Sequence, residues 1–216
     1  MKSLARRTSE YYFRQGLKIF GMVMIVQVLL TLEFIFLESE NQDLMSFITQ
    51  NLVTFTGFFM IIFNTIYAMY GPNWFDSVVL SMGARRKDVF LGQIIQQLTL
   101  IILCTAVEIA GCFLFDHMEF IGYTGLSAAA ALLFGVIGTV VGYKIKKFGK
   151  IVMIIIVMAM TVMGFAMGML KALGGQIPFS SLNSALAISI IAVVAILGFI
   201  LLELWAYKLN SKCMVS

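Results

Sequence analysis

Charge is scarce in this chain. Of its 216 residues only 12% are Asp, Glu, Lys or Arg, against about 25% in an ordinary soluble domain, while 61% are hydrophobic and the mean hydropathy is +0.98. That excludes a water-solvated globule and makes lipid the solvent. Proline is almost missing, with two residues, so long helices can run without interior breakers. The apolar segments do not alternate polar with apolar positions, which excludes the strands of a membrane barrel. The single histidine, His117, lies between Asp116 and Met118. One histidine cannot supply the His-Glu-x-x-His ligands of a metalloprotease, and Ser127 is about three helical turns from it, too far for a Ser-His pair. Cys104, Cys112 and Cys213 have neither metal-ligand spacing nor the pattern of a disulfide framework and read as packing residues. No Gly-x-x-x-x-Gly-Lys-Ser/Thr phosphate loop occurs, since the stretch from Gly142 to Gly149-Lys150 has the wrong spacing and no hydroxyl after it. The chain is therefore expected to hydrolyse no ATP on its own and to be no enzyme by itself.

What is present is a series of apolar runs at about residues 17–37, 52–70, 91–115, 125–143, 151–170 and 182–207. Each is close to or above the roughly 20 residues that cross about 30 Å of hydrocarbon as a helix. The expected fold class is an all-α integral membrane protein, a single domain over residues 1–216 with six transmembrane helices. Its basic residues segregate: Lys2, Arg6, Arg7, Arg14 and Lys18 precede the first run, and Arg85, Arg86 and Lys87 follow the second. Lys144, Lys146, Lys147 and Lys150 follow the fourth, and Lys208 and Lys212 follow the sixth. Only Lys171 falls on the other side, with Glu38, Glu40, Asp43, Asp116 and Glu119. By the positive-inside rule both termini are expected in the cytoplasm. The basic opening has no signal-peptide cleavage pattern, so the amino terminus is expected to be retained. Residues 1–16 place Leu4, Thr8, Tyr11 and Tyr12 near one helical face and Arg7, Glu10 and Arg14 on another, as an interfacial helix would, although a plain basic tail fits the same composition.

Within the runs, Glu108 is a carboxyl in the third span, where insertion costs about 2.5–3.5 kcal/mol and a neighbour or a wet cavity must receive it. It reads either as a contact for a cationic substrate or a proton, or as a packing carboxyl with Thr105 beside it. Glu33 and Glu203 lie near span ends, where they can snorkel. Gly138/Gly142 and Gly164/Gly168 have small-x-x-x-small spacing and predict close helix packing within the subunit. The second span carries Thr54, Phe55, Phe58, Phe59, Phe63 and Asn64, and the fifth carries Met160, Met163 and Met167 among other methionines. Such faces suit either lipid contact or a cavity for varied amphipathic ligands.

Between the second and third spans, Gly71-Pro72-Asn73-Trp74-Phe75-Asp76 reads as a helix break and restart, with Asn73 as cap and Asp76 facing free amides. A short helix over 74–82 is then expected to stop at Gly83. The stretch Val78-Val79-Leu80-Ser81-Met82-Gly83-Ala84-Arg85-Arg86-Lys87-Asp88-Val89-Phe90-Leu91-Gly92 resembles the loop after the second span of small type-2 ABC exporter permeases. Six spans and an amphipathic amino-terminal helix are similar to that family as well. The resemblance implies a coupling helix in the cytoplasmic loop 72–90 that docks on a separate ABC ATPase subunit through Trp74, Phe75, Asp76, Leu80, Gly83, Arg85 and Arg86. Arg85 stands where the family has a small or hydroxyl residue. The resemblance also implies that ATP and Mg are bound by the partner subunit, that a second permease copy completes a translocation path, and that the second and fifth spans line its cavity. The expected function is outward movement of an amphipathic peptide, antibiotic or lipid across a bacterial plasma membrane, with lipid and not nucleic acid as the surroundings. Outer loops of about a dozen residues or fewer fit export better than capture from outside. The competing readings are a substrate-capture subunit for vitamin uptake and a stand-alone secondary transporter. The first would show Ala-x-x-x-Ala on the first span, which has no alanine; the second would show inverted repeats with broken helices.

Overall fold

The computed structural model describes residues 4–37, 44–149 and 185–212. The fifth expected span, 151–170, and with it Met160, Met163 and Met167, lies outside the described residues. All regular structure among the described residues is helical. The elements are α1 (Leu4–Leu37), α2 (Leu44–Tyr70), a π-helical turn (Gly71–Phe75), α3 (Asp76–Ser81), α4 (Arg86–Leu114), a 3-10 turn (Met118–Phe120), α5 (Ile121–Phe148) and α6 (Ala185–Lys212). Four stretches, Leu4–Glu33, Phe47–Ser81, Arg86–Leu114 and Ile121–Phe148, are long and apolar enough to cross a membrane, as in a multi-pass membrane protein. Of the sixth expected span, residues 185–207 fall on α6, which is not among those four stretches, and 182–184 lie outside the described residues.

Two local expectations differ from the structure. Residues 4–16 are not a separate helix but the first turns of α1, a single 34-residue helix of about 50 Å. The packing explains this continuity: Thr8 and Tyr12 are buried and Tyr12 sits in an apolar cluster with Val79 and Val89, so one face of the segment packs on the protein while Leu4, Phe13 and Arg14 are exposed. The Gly71-Pro72 pair likewise does not end the helix. Proline has no amide hydrogen and its ring crowds the preceding turn, and the chain accommodates it by widening one turn to π geometry. Asn73, expected as a cap, sends its Nδ2 to the carbonyls of Met69 and Gly142, both at 3.3 Å. It thus ties the end of α2 to α5.

Helix pairing follows from small residues. A Cβ on Gly138 would lie 2.6 Å from the Thr65 carbonyl oxygen, and one on Gly142 would lie 2.5 Å from that of Met69. The Gly138/Gly142 spacing is therefore used inside the subunit, to lay α5 directly on the backbone of α2. Gly57 faces Ser127, Asn64 faces Gly135, and Met69 faces Gly142, so α2 and α5 run parallel. Tyr12 against Gly92 and Gly16 against Gln96 and Thr99 make α1 and α4 parallel in the same way. The apolar core of Ile19, Val23, Met60, Leu100, Ile101, Cys104 and Ala131 joins all four helices. The start of α1, the end of α2, the start of α4 and the end of α5 consequently meet at one end of the bundle, which is the end carrying Arg14, Arg85, Arg86 and Lys144.

Candidate functional site

At that end lies a buried hydrogen-bond network. Asp76, at the first position of α3, is 3% exposed. Its Oδ1 accepts from the Tyr12 hydroxyl at 2.9 Å, and Gln93 Nε2 donates to Oδ1 and Oδ2 at 2.7 and 2.9 Å. Tyr143 donates its hydroxyl to Gln93 Oε1 at 3.4 Å. A carboxylate taken out of water is costly unless hydrogen-bonded, and here donors from α1 and α4 supply the bonds while α5 supports one of them. Asp76 was expected to face the free amides of its own helix; instead it points into the bundle, and the residue before it, Phe75, makes no side-chain cap. The absence of a side chain on Gly92 is required here, because a Cβ would overlap the Tyr12 ring.

The remaining residues of the loop 72–90 divide between two faces of α3 and the turns that flank it. Val79 is buried against Tyr12 and Val89, with Phe75, Leu80 and Ala84 packed around them. Trp74, Val78 and Met82 are exposed, Trp74 at 68% and Met82 at 71%. The helix ends as a Schellman motif: the Gly83 amide donates to the Leu80 carbonyl at 2.9 Å and that of Ala84 to Val79 at 3.3 Å, with Gly83 at φ +88°. Gly83 and Arg85 are exposed and Arg86 is half-buried, its carbonyl accepting from Asn210 Nδ2 of α6 at 3.2 Å. The structure therefore groups Trp74, Gly83 and Arg85 on the outside, and withdraws Asp76 to the inside.

The candidate cavity residues also separate. Phe55, Phe59, Phe63, Tyr67 and Phe75 form a continuous ring ladder along one face of α2, with successive centroids 6.3–6.5 Å apart, and Phe58 joins Phe59 edge-on at 5.7 Å. The ladder runs along α2 from Phe55 to Tyr67 and is continued by Phe75 of the π-helical turn. At its basic end Phe63, Ile66, Tyr67, Tyr70, Trp74 and Phe75 line an open groove of about 440 Å³. Thr54 and Phe58 are exposed. Asn64 and Glu108 are elsewhere: Asn64 Nδ2 donates to the Ala131 carbonyl at 2.8 Å, buried against α5. Against known family models, curated proteins and solved structures the chain has no match.

Glu108 is fully buried between α2, α4 and α5. Ser127 Oγ lies 3.2 Å from its Oε2 and 2.9 Å from the Thr124 carbonyl, while Oε1 and the hydroxyl of Thr105 meet no hydrogen-bond partner among the described residues. The partner is thus a serine across the helix interface rather than the threonine one turn away. Sequence reasoning passed over Tyr12, Gln93 and Tyr143 as network members. Gln93 and Gln97, one turn apart in a mainly apolar run that also holds Gln96, were the available signal: Gln97 Nε2 donates to Thr139 Oγ1 at 2.9 Å and Gln93 accepts from Tyr143, so both line the α4–α5 seam. Among the described residues no group of three or more His, Cys, Asp or Glu side chains is placed to hold a metal ion.

Proposed function

We propose that this chain is the membrane subunit of an ATP-driven exporter, with six spans, both termini in the cytoplasm and a second copy completing the translocation path. ATP and Mg would be bound by a separate ABC ATPase subunit docked on α3. The observation that carries this reading is the double character of α3. One face is bound into the bundle through Asp76 and Val79, which meet Tyr12 of α1, and the other presents Val78, continued by Trp74 of the preceding turn and Met82 just past the end of α3. A short helix bound to α1 and α4, with α5 joined to α4 through Tyr143 and Gln93, and exposing apolar side chains is a lever: a push on its outer face moves these helices with it. The convergence of the basic helix ends around this lever supports its position in the cytoplasm, and the ladder of aromatic rings on α2 supplies a face on which an amphipathic substrate can slide between apolar contacts.

The test is co-purification of the chain with the ABC ATPase polypeptide encoded beside it. Arg86→Glu and Gly83→Pro, the latter incompatible with φ +88°, should each abolish the complex or its ATPase activity while the helical content in detergent persists. Binding indifferent to both changes would refute the reading. A stand-alone secondary transporter is favoured by one observation, the unpaired buried oxygen of Glu108, and ATP-independent substrate movement in vesicles containing only this chain would select it.

A further inference from the structure

At the basic end of the α5–α6 seam two lysines rest on aromatic rings instead of carboxylates. Lys144 Nζ is 5.2 Å from the centroid of the Trp205 ring across the helix interface, and Lys147 Nζ is 5.2 Å from that of Phe148. No ion pair with either lysine occurs among the described residues. α5 has no acidic residue, and the single one on α6, Glu203, is buried with neither oxygen hydrogen-bonded. The seam is fixed in place by the cluster of Phe90, Val140 and Ala206 and by the edge-on contact of Phe90 with Tyr207 at 5.3 Å. Below Trp205, Leu197, Leu201 and Leu204 are exposed along one face of α6. A concentrated positive charge beside half-exposed aromatic rings, with an apolar wall leading away from it, matches one kind of molecule: an anionic headgroup carrying acyl chains.

We infer that the Lys144, Lys147 and Trp205 surface is a seat for one anionic phospholipid, with its phosphate between the two ammonium groups and an acyl chain along Leu197, Leu201 and Leu204. The ring faces hold the lysines in position without neutralising them, so their charge stays available to the phosphate. This goes beyond the exporter reading and does not depend on it, since it requires only that the helices lie in a bilayer.

Native mass spectrometry of the full chain in detergent, titrated with phosphatidylglycerol or with phosphatidylcholine of the same acyl chains, tests this. A lysine near an anionic lipid surface contributes about fivefold in affinity. Wild type should therefore retain phosphatidylglycerol at least about fivefold more tightly than phosphatidylcholine. The double variant Lys144→Gln/Lys147→Gln should bring the two lipids within about twofold, while Lys18→Gln/Lys87→Gln, equally reduced in net charge, should keep the preference. Equal loss in both double variants would overturn the seat in favour of diffuse charge attraction. Displacement of the lipid by glycerol phosphate at matching concentration would overturn it in favour of a soluble phosphate ligand, and absence of any preference in wild type would overturn it outright. Wild type at high salt gives a reading that needs no substitution: at about 1 M, where screening acts over about 3 Å, the preference should fall, and a salt-independent preference would count against the lysines.

Discussion

Removing the Tyr12 hydroxyl isolates one hydrogen bond at the centre of the buried network around Asp76. Tyr12→Phe leaves the ring that packs on Gly92, Val79 and Val89 and deletes only the donor 2.9 Å from Asp76 Oδ1. A hydrogen bond to a charged group contributes about 1.5–3 kcal/mol, and the lower part of that range applies because Gln93 Nε2 still reaches both carboxylate oxygens. The expected loss is about 1.5–2 kcal/mol. Asp76→Asn sets an amide against the Gln93 amide. A flip of Gln93 then lets its Oε1 accept from the new Asn and turns its Nε2 toward the Tyr143 oxygen, so this change should cost about 1 kcal/mol. Because both substitutions act on the same bond, the double variant should be more stable than the sum of the single losses by about 1 kcal/mol. Equilibrium unfolding in mixed detergent micelles, followed by far-ultraviolet circular dichroism, reads all four corners of the cycle. Additivity within about 0.5 kcal/mol, or a Tyr12→Phe loss below that value, would refute the network as drawn.

Gly92→Ala should cost about 1–3 kcal/mol by forcing Tyr12 and α1 away from α4, whereas Gly21→Ala, with nothing within 4 Å of the added carbon, should be neutral or stabilising; equal effects in the same unfolding assay would contradict the α1–α4 contact. Ser127→Ala should cost about 1–3 kcal/mol by leaving both oxygens of Glu108 unpaired. Glu108→Gln keeps an acceptor for Ser127 and should cost less, and the reverse order would show that the carboxyl is held by something other than this serine.

Much of the helix layout was legible because hydrophobic length is a one-dimensional property. The runs at 17–37, 52–70 and 125–143 fall inside α1, α2 and α5, and 91–115 overruns the end of α4 by one residue; each helix begins before its run, since turns rich in polar residues also stay helical once packed against neighbours. The stop at Gly83 was legible too, because a left-handed residue is a local requirement. Gly71-Pro72 was not: its local preference for a break was overridden when Asn73 and Gly142 provided tertiary partners for a widened turn.

By itself the sequence determined that this chain is a bundle of long apolar helices with its positive charge gathered at alternate loops, since composition and run length dictate the solvent before any contact forms. Only the tertiary structure decided which side chains meet. Asp76 turns inward because Tyr12, 64 positions earlier, and Gln93 offer it donors that outweigh its own helix's amides. Glu108 takes Ser127 as its partner because the bare backbone of Gly57 leaves room for both. Those pairings depend on helix register and on where glycine permits contact, which spacing along the chain does not encode.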